Sequence, residues 1–93
     1  MAYVETGTAD FQSTITNMSG FTFTGGVDAA VVNLREGGVG GTIKYIVKSA
    51  INTTTHLDFS GAPVRCNNSA GAPQLWYVDL VSGTTPQMSI TGT

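Results

Sequence analysis

The chain is a single 93-residue sequence whose four basic and six acidic side chains make up 11% of it, against roughly 25% in ordinary soluble domains. With 41% apolar residues the composition excludes disorder, and a net charge of −2 with so few lysines and arginines argues against a phosphate-binding nucleic-acid surface. The lone Cys66 excludes an internal disulfide and a cysteine-rich metal site. The polar work falls to fourteen Thr, seven Ser and five Asn. A surface this short of charge is expected to be partly covered by other protein.

The opening MAYVETGTADF has no basic segment and no apolar run, so no secretory leader is expected. It reads as an N-terminal arm, residues 1–11, on a single β-domain spanning 1–93, with the arm pinned against a neighbouring chain. No stretch approaches the ~18 apolar residues of a membrane-spanning helix, and no membrane partner is expected. Thr-x-Thr recurs at Thr6/Thr8, Thr14/Thr16 and Thr22/Thr24. The spacing stops there and the intervening residues do not repeat, so these are outward threonines of ordinary strands and not a solenoid. The sequons at Asn17, Asn52 and Asn67 are no more than a Ser/Thr-rich chain produces by chance.

From Phe21 onward the period is two. GFTFTGG sets Phe21 and Phe23 against Thr22 and Thr24. VDAAVVNLREGG has an Asp28 that suits a helix cap, but Val31, Val32 and Asn33 are poor helix formers, and a strand is preferred over a short helix. TIKYIVKSA alternates Ile43, Tyr45 and Val47 with Lys44 and Lys48; THLDF sends Leu57 and Phe59 one way, His56 and Asp58 the other. QLWYVDLVS is apolar on both faces, so that strand is central or covered by a partner, while QMSIT places Met88 and Ile90 inward. Turn residues punctuate these runs at Gly25-Gly26, Gly37–Gly41, Ser60–Pro63, Asn67–Pro73 and Ser82–Pro86. The sum is all-β: a small antiparallel β-sandwich or barrel of about seven to eight short strands.

Three features invite a chemical reading. The stretch GGVGG, Gly37 to Gly41, lacks the Gly-Lys-Ser/Thr of a phosphate loop and is followed by a strand pattern instead of a helix. It reads as a bend between two strands whose apolar tip, Val39, meets a partner. His56 and Asp58 share a strand face, but neither a nucleophile nor a third metal ligand is implied beside them. Asp79 lies on an apolar strand face and needs a partner, with Arg35 or Arg65 the natural choices. No catalytic, cofactor-binding or metal-binding residue is assigned, and no enzymatic activity is expected.

In its small size, its abundance of Gly, Thr and Ala, its arm MAYVETGTADF and its compact β-domain, the whole chain resembles small bacteriophage virion proteins, the capsid decoration or cement proteins in particular. That resemblance is one of texture and includes no diagnostic motif. It implies a non-enzymatic subunit that binds the assembled capsid and bridges capsomers. Its partners would be the major capsid protein or other virion subunits and further copies of itself, as in a trimer, and its place the capsid surface. Ala2, Tyr3, Val4, Phe11, Val39 and Tyr77 are the expected protein-contact residues. A tail or fibre subunit is an alternative within the same class. A carbohydrate-binding or adhesin β-sandwich is the rival class, with Trp76, Tyr77, Tyr45 or Tyr3 stacking on sugar rings; burial of Trp76 would weigh against it.

Overall fold

The computed structural model of the chain describes residues 3–67 and 73–93. Alternating Thr, Val, Ile and aromatic residues produce nine strands: β1 Tyr3–Gly7, β2 Phe11–Gln12, β3 Asn17–Thr24, β4 Ala30–Glu36, β5 Ile43–Ser49, β6 Thr54–Asp58, β7 Val64–Arg65, β8 Trp76–Ser82 and β9 Gln87–Gly92. They pair antiparallel into two sheets, ordered β1-β9-β3-β6 with β7 also on β3, and β2-β8-β4-β5. The architecture is therefore a small β-sandwich. Residues 30–36 are a strand, as the β-branched Val31 and Val32 favour.

The inner faces follow the alternation. Met18, Phe21, Phe23, Met88 and Ile90 come from the first sheet; Val32, Leu34, Val47, Trp76 and Val78 come from the second, and all are buried. Each side chain of this kind contributes roughly 1.5–3 kcal/mol on burial. Ile15 and Cys66, from the connections, complete the same core. Trp76 donates its indole N–H to the Thr16 carbonyl at 3.0 Å, and Tyr45 lies between Trp76 and Phe59, 6.2 and 5.6 Å away by ring centroids. β8 is central, with β2 and β4 on its two sides, which explains its apolar inner face.

The N-terminal segment expected as an arm contains the first strand. Tyr3–Gly7 forms the edge strand of the chain's own first sheet, with Glu5 opposite Ile90 on β9. Beyond that pairing, Glu5 ties the strand down. Its carboxylate accepts hydrogen bonds from the Ser13 hydroxyl at 2.6 Å, the Thr14 amide at 3.0 Å and the Thr14 hydroxyl at 2.6 Å, tying β1 to the segment between β2 and β3. Burial alone would push the Glu5 carboxyl up, but these bonds together outweigh it and the pKa falls below the usual value.

Candidate interaction faces

A sandwich has two outer faces, and here they differ in chemistry. On the second sheet the pleat turns Ile46, Val31, Asn33, Arg35, Tyr77, Asp79 and Val81 outward. Ile46 is 60% and Val81 56% exposed. Asn33 stands between Ile46 on β5 and Asp79 on β8, with Val31 next along β4. The apolar side chains thus form a diagonal stripe over three strands. Lys44 and Lys48 flank Ile46 on the outward side of β5. Toward the glycine-turn end of this face Arg35 donates its Nε–H to Asp79 at 2.8 Å, and both side chains are about four-fifths hidden. The partner that an acid on this strand required is Arg35.

The same Arg35 shapes the glycine stretch. Its second arm donates to the Gly41 carbonyl at 2.9 Å, while the Gly41 amide donates to Gly38 at 2.9 Å, closing a four-residue turn with Val39 and Gly40 at its centre. Gly37 adopts φ +93 and its amide donates to Leu75 at 2.8 Å. A Cβ on Gly41 would collide with the Glu36 carbonyl. The bend is therefore a pinned turn and not a tether. It holds Val39 out, 69% exposed, at the end of the sandwich where Leu75 and Ile43, each 40% exposed, also surface.

The outer face of the first sheet is polar. In register across β1, β9, β3 and β6 run Thr6, Ser89, Thr22 and His56; the next row carries Gln87, Thr24 and Thr54. Thr22 Oγ1 and His56 Nδ1 share a hydrogen bond of 2.7 Å, and the Thr24 and Thr54 hydroxyls are 3.0 Å apart. Asp58 accepts the Ser60 amide at 3.0 Å, a bond that lowers its pKa. His56 and Asp58 are thus each engaged by a different neighbour. Among the described residues no group of three or more His, Cys, Asp or Glu side chains is placed to hold a metal ion. Cys66 is buried, and that burial pushes its thiol pKa up.

The residues expected at a protein contact are scattered. Tyr3 and Val4 are 57% and 64% exposed on edge strand β1, Val39 is on the glycine turn, and Tyr77 is half-buried beside Arg35. Phe11 packs against the core, its ring filling the space that Gly7 leaves by having no side chain. Ala2 lies outside the described residues. Sequence reasoning missed Ile46, Val81 and Leu75. The signal for Val81 and Leu75 was present, since the QLWYVDLVS strand is apolar on both faces and only one face can meet the core. For Ile46 it was an isoleucine standing between Lys44 and Lys48 on the polar side of TIKYIVKSA. Of the four aromatics considered for sugar stacking, Trp76 and Tyr45 are packed internally, and Tyr77 and Tyr3 lie on different sheets. The fold and these faces define an antiparallel β-sandwich with one amphipathic and one polar outer face. No family model, curated protein or solved structure matches the chain.

Proposed function

We propose that the chain is a non-catalytic structural subunit that docks in many copies onto a larger protein assembly. In the reading its sequence texture favours, that assembly is a virion, and the protein is a decoration or cement subunit bridging capsomers from outside. The observation that carries the proposal is the exposed apolar stripe of the second sheet together with the apolar end around Val39, Ile43 and Leu75. Tyr3, Val4, Val27 and Ile51 are exposed elsewhere, but Ile46, Val81, Val39, Ile43 and Leu75 share one sheet face and the adjoining end of a weakly charged domain. Exposed apolar side chains that lie together are stabilised by being covered. The complementary surface would be apolar at its centre and acidic around it, to meet Ile46 between Lys44 and Lys48. Each subunit would add a modest free energy, because association entropy offsets much of the burial, and the particle would gain from the number of copies.

The test is location. In a density gradient of a lysate from cells that make the protein, it should travel with particles of virion mass, and immunogold should mark their outer shell. Ile46→Asp combined with Val81→Asp should release it from the particles while its circular dichroism stays that of the folded sandwich. Recovery only as a low-mass species, or particle binding unaffected by the double substitution, would overturn the proposal.

A further inference from the structure

The polar outer face of the first sheet is not flat. Between β1, β9 and β3 it forms a cleft of about 410 Å³, lined by Thr6, Thr8, Thr22, Thr24, Gln87 and Ser89, with Gly7 and Met88 between them. That volume is within the ~300–1,000 Å³ range of small-ligand sites. We infer that this cleft is a binding site for a neutral saccharide, a function separate from the docking face on the other sheet.

The chemistry selects the ligand class. Among the described residues no charged side chain lines the cleft, so they offer nothing to neutralise a phosphate, carboxylate or ammonium group. Its apolar surface is made of threonine methyl groups, the Gln87 methylenes and the little that Met88 leaves, since that side chain is 2% exposed and belongs to the core. Among the described residues no branched aliphatic or aromatic side chain lines it, so a lipid tail or apolar peptide finds no large apolar side chain to pack against. What the cleft does present is hydroxyls and one primary amide, groups that both donate and accept. The Thr22 and Thr24 hydroxyls are engaged by His56 and Thr54 beside them on β6, and Thr6, Thr8, Ser89 and Gln87 complete the polar lining. Neighbouring strands repeat every ~4.8 Å, so Thr6, Ser89 and Thr22, in register across three strands, set three hydroxyl-bearing side chains in one row across the sheet. A ligand with a row of neutral hydroxyls along its length matches that donor–acceptor grid. With no aromatic ring in the lining, binding rests on hydrogen bonds, and single-site affinity is weak, reinforced when many copies stand on one particle.

The experiment is a ¹⁵N–¹H NMR titration of the intact chain with maltohexaose, cellohexaose and mannohexaose, with a neutral Gly-Ser-Thr peptide and inorganic phosphate as comparison probes. At least one oligosaccharide should shift amides confined to residues 6–8, 22–24 and 87–89 at millimolar concentration, and phosphate and peptide should not. Ser89→Ala and Thr6→Val face solvent and keep the strands; each should weaken that binding by about three- to tenfold, the effect of one hydrogen bond. The absence of confined shifts with all three sugars, equal shifts with the peptide, or sugar binding indifferent to both substitutions would overturn the assignment.

Discussion

Arg35 both pairs with Asp79 on the outer face of the second sheet and pins the glycine turn, and its removal gives a sharp test. Asp79→Ala breaks one charge-assisted bond, Nε–H to Oδ2 at 2.8 Å, and leaves the Arg35 bond to Gly41 in place. Fully exposed pairs contribute 0–1 kcal/mol, and breaking a fully buried pair costs 3–5 kcal/mol. With both side chains about four-fifths hidden, the loss is expected at about 1–2 kcal/mol. Arg35→Ala removes the same bond and also the 2.9 Å bond to the Gly41 carbonyl, adding about 1 kcal/mol, for about 2–3 kcal/mol in all. At 4–8 °C per kcal/mol for a domain of this size, melting should fall by roughly 10–20 °C in Arg35→Ala and about half that in Asp79→Ala. Urea unfolding followed by circular dichroism measures both, and the double substitution should show a coupling of about 1 kcal/mol. Hydrogen exchange at Gly41 should accelerate in Arg35→Ala and not in Asp79→Ala. Equal losses from the two single substitutions, or unchanged exchange at Gly41, would show that the arginine does not hold the turn.

Three further outcomes follow from named contacts. Glu5→Gln should cost about 1–2 kcal/mol at neutral pH. Because the folded carboxyl titrates below its ordinary value of 4.5, its contribution is fully present above that pH and is lost as pH falls through the folded value. Urea midpoints between pH 7 and 3 should therefore drop less steeply in the variant than in the parent. Cys66, buried with a raised pKa, should ignore a thiol reagent at neutral pH in the folded protein and react fully in urea; rapid native labelling would contradict its place in the core. Gly83→Ala should destabilise by about 1–3 kcal/mol, because Gly83 has φ +124 and a Cβ there would lie 2.7 Å from that of Ala30; an unchanged melting temperature would mean that the turn relaxes freely.

The period-two runs around Phe21, Val47, Leu57, Val78 and Met88 were legible because alternation is the direct imprint of a half-buried strand. Asp79 was legible for a related reason: a carboxylate among apolar neighbours demands a partner, and only two arginines were available. The edge strand β1 was not. Tyr3–Gly7 alternates weakly, with no fully buried side chain, and what secures it beyond its pairing with β9 is the Glu5 cluster, whose partners are eight and nine residues away. β2 and β7 have two residues each, too few to show a period. The cleft was hidden more deeply. Its threonines were visible as Thr-x-Thr pairs, but their convergence depends on Thr6, Ser89 and Thr22 coming into register across three strands, and register is a tertiary outcome.

The scarcity of charge makes the distribution of what there is more telling. Each of the six acids accepts a hydrogen bond inside the chain: Glu5 from Ser13 and Thr14, Asp10 from the Leu80 amide, Asp28 from Thr84, Glu36 from the Asn67 amide, Asp58 from the Ser60 amide and Asp79 from Arg35. Several of these join segments far apart in sequence, Asp10 to Leu80 being 70 residues apart. The acids thus act as ties between segments that have only a thin core to hold them. Arg35 is absorbed in the same way, whereas Lys44 and Lys48 stand outward on β5. The cations left to face outward on the second sheet therefore bracket its exposed isoleucine, while among the described residues no charge lines the cleft on the opposite sheet. On the two proposals, one sandwich carries two outer faces of different chemistry: one would suit an apolar surface with an acidic margin, the other an uncharged hydroxylated ligand. Because the faces are on opposite sheets, a subunit seated by the first would still present the second to solvent.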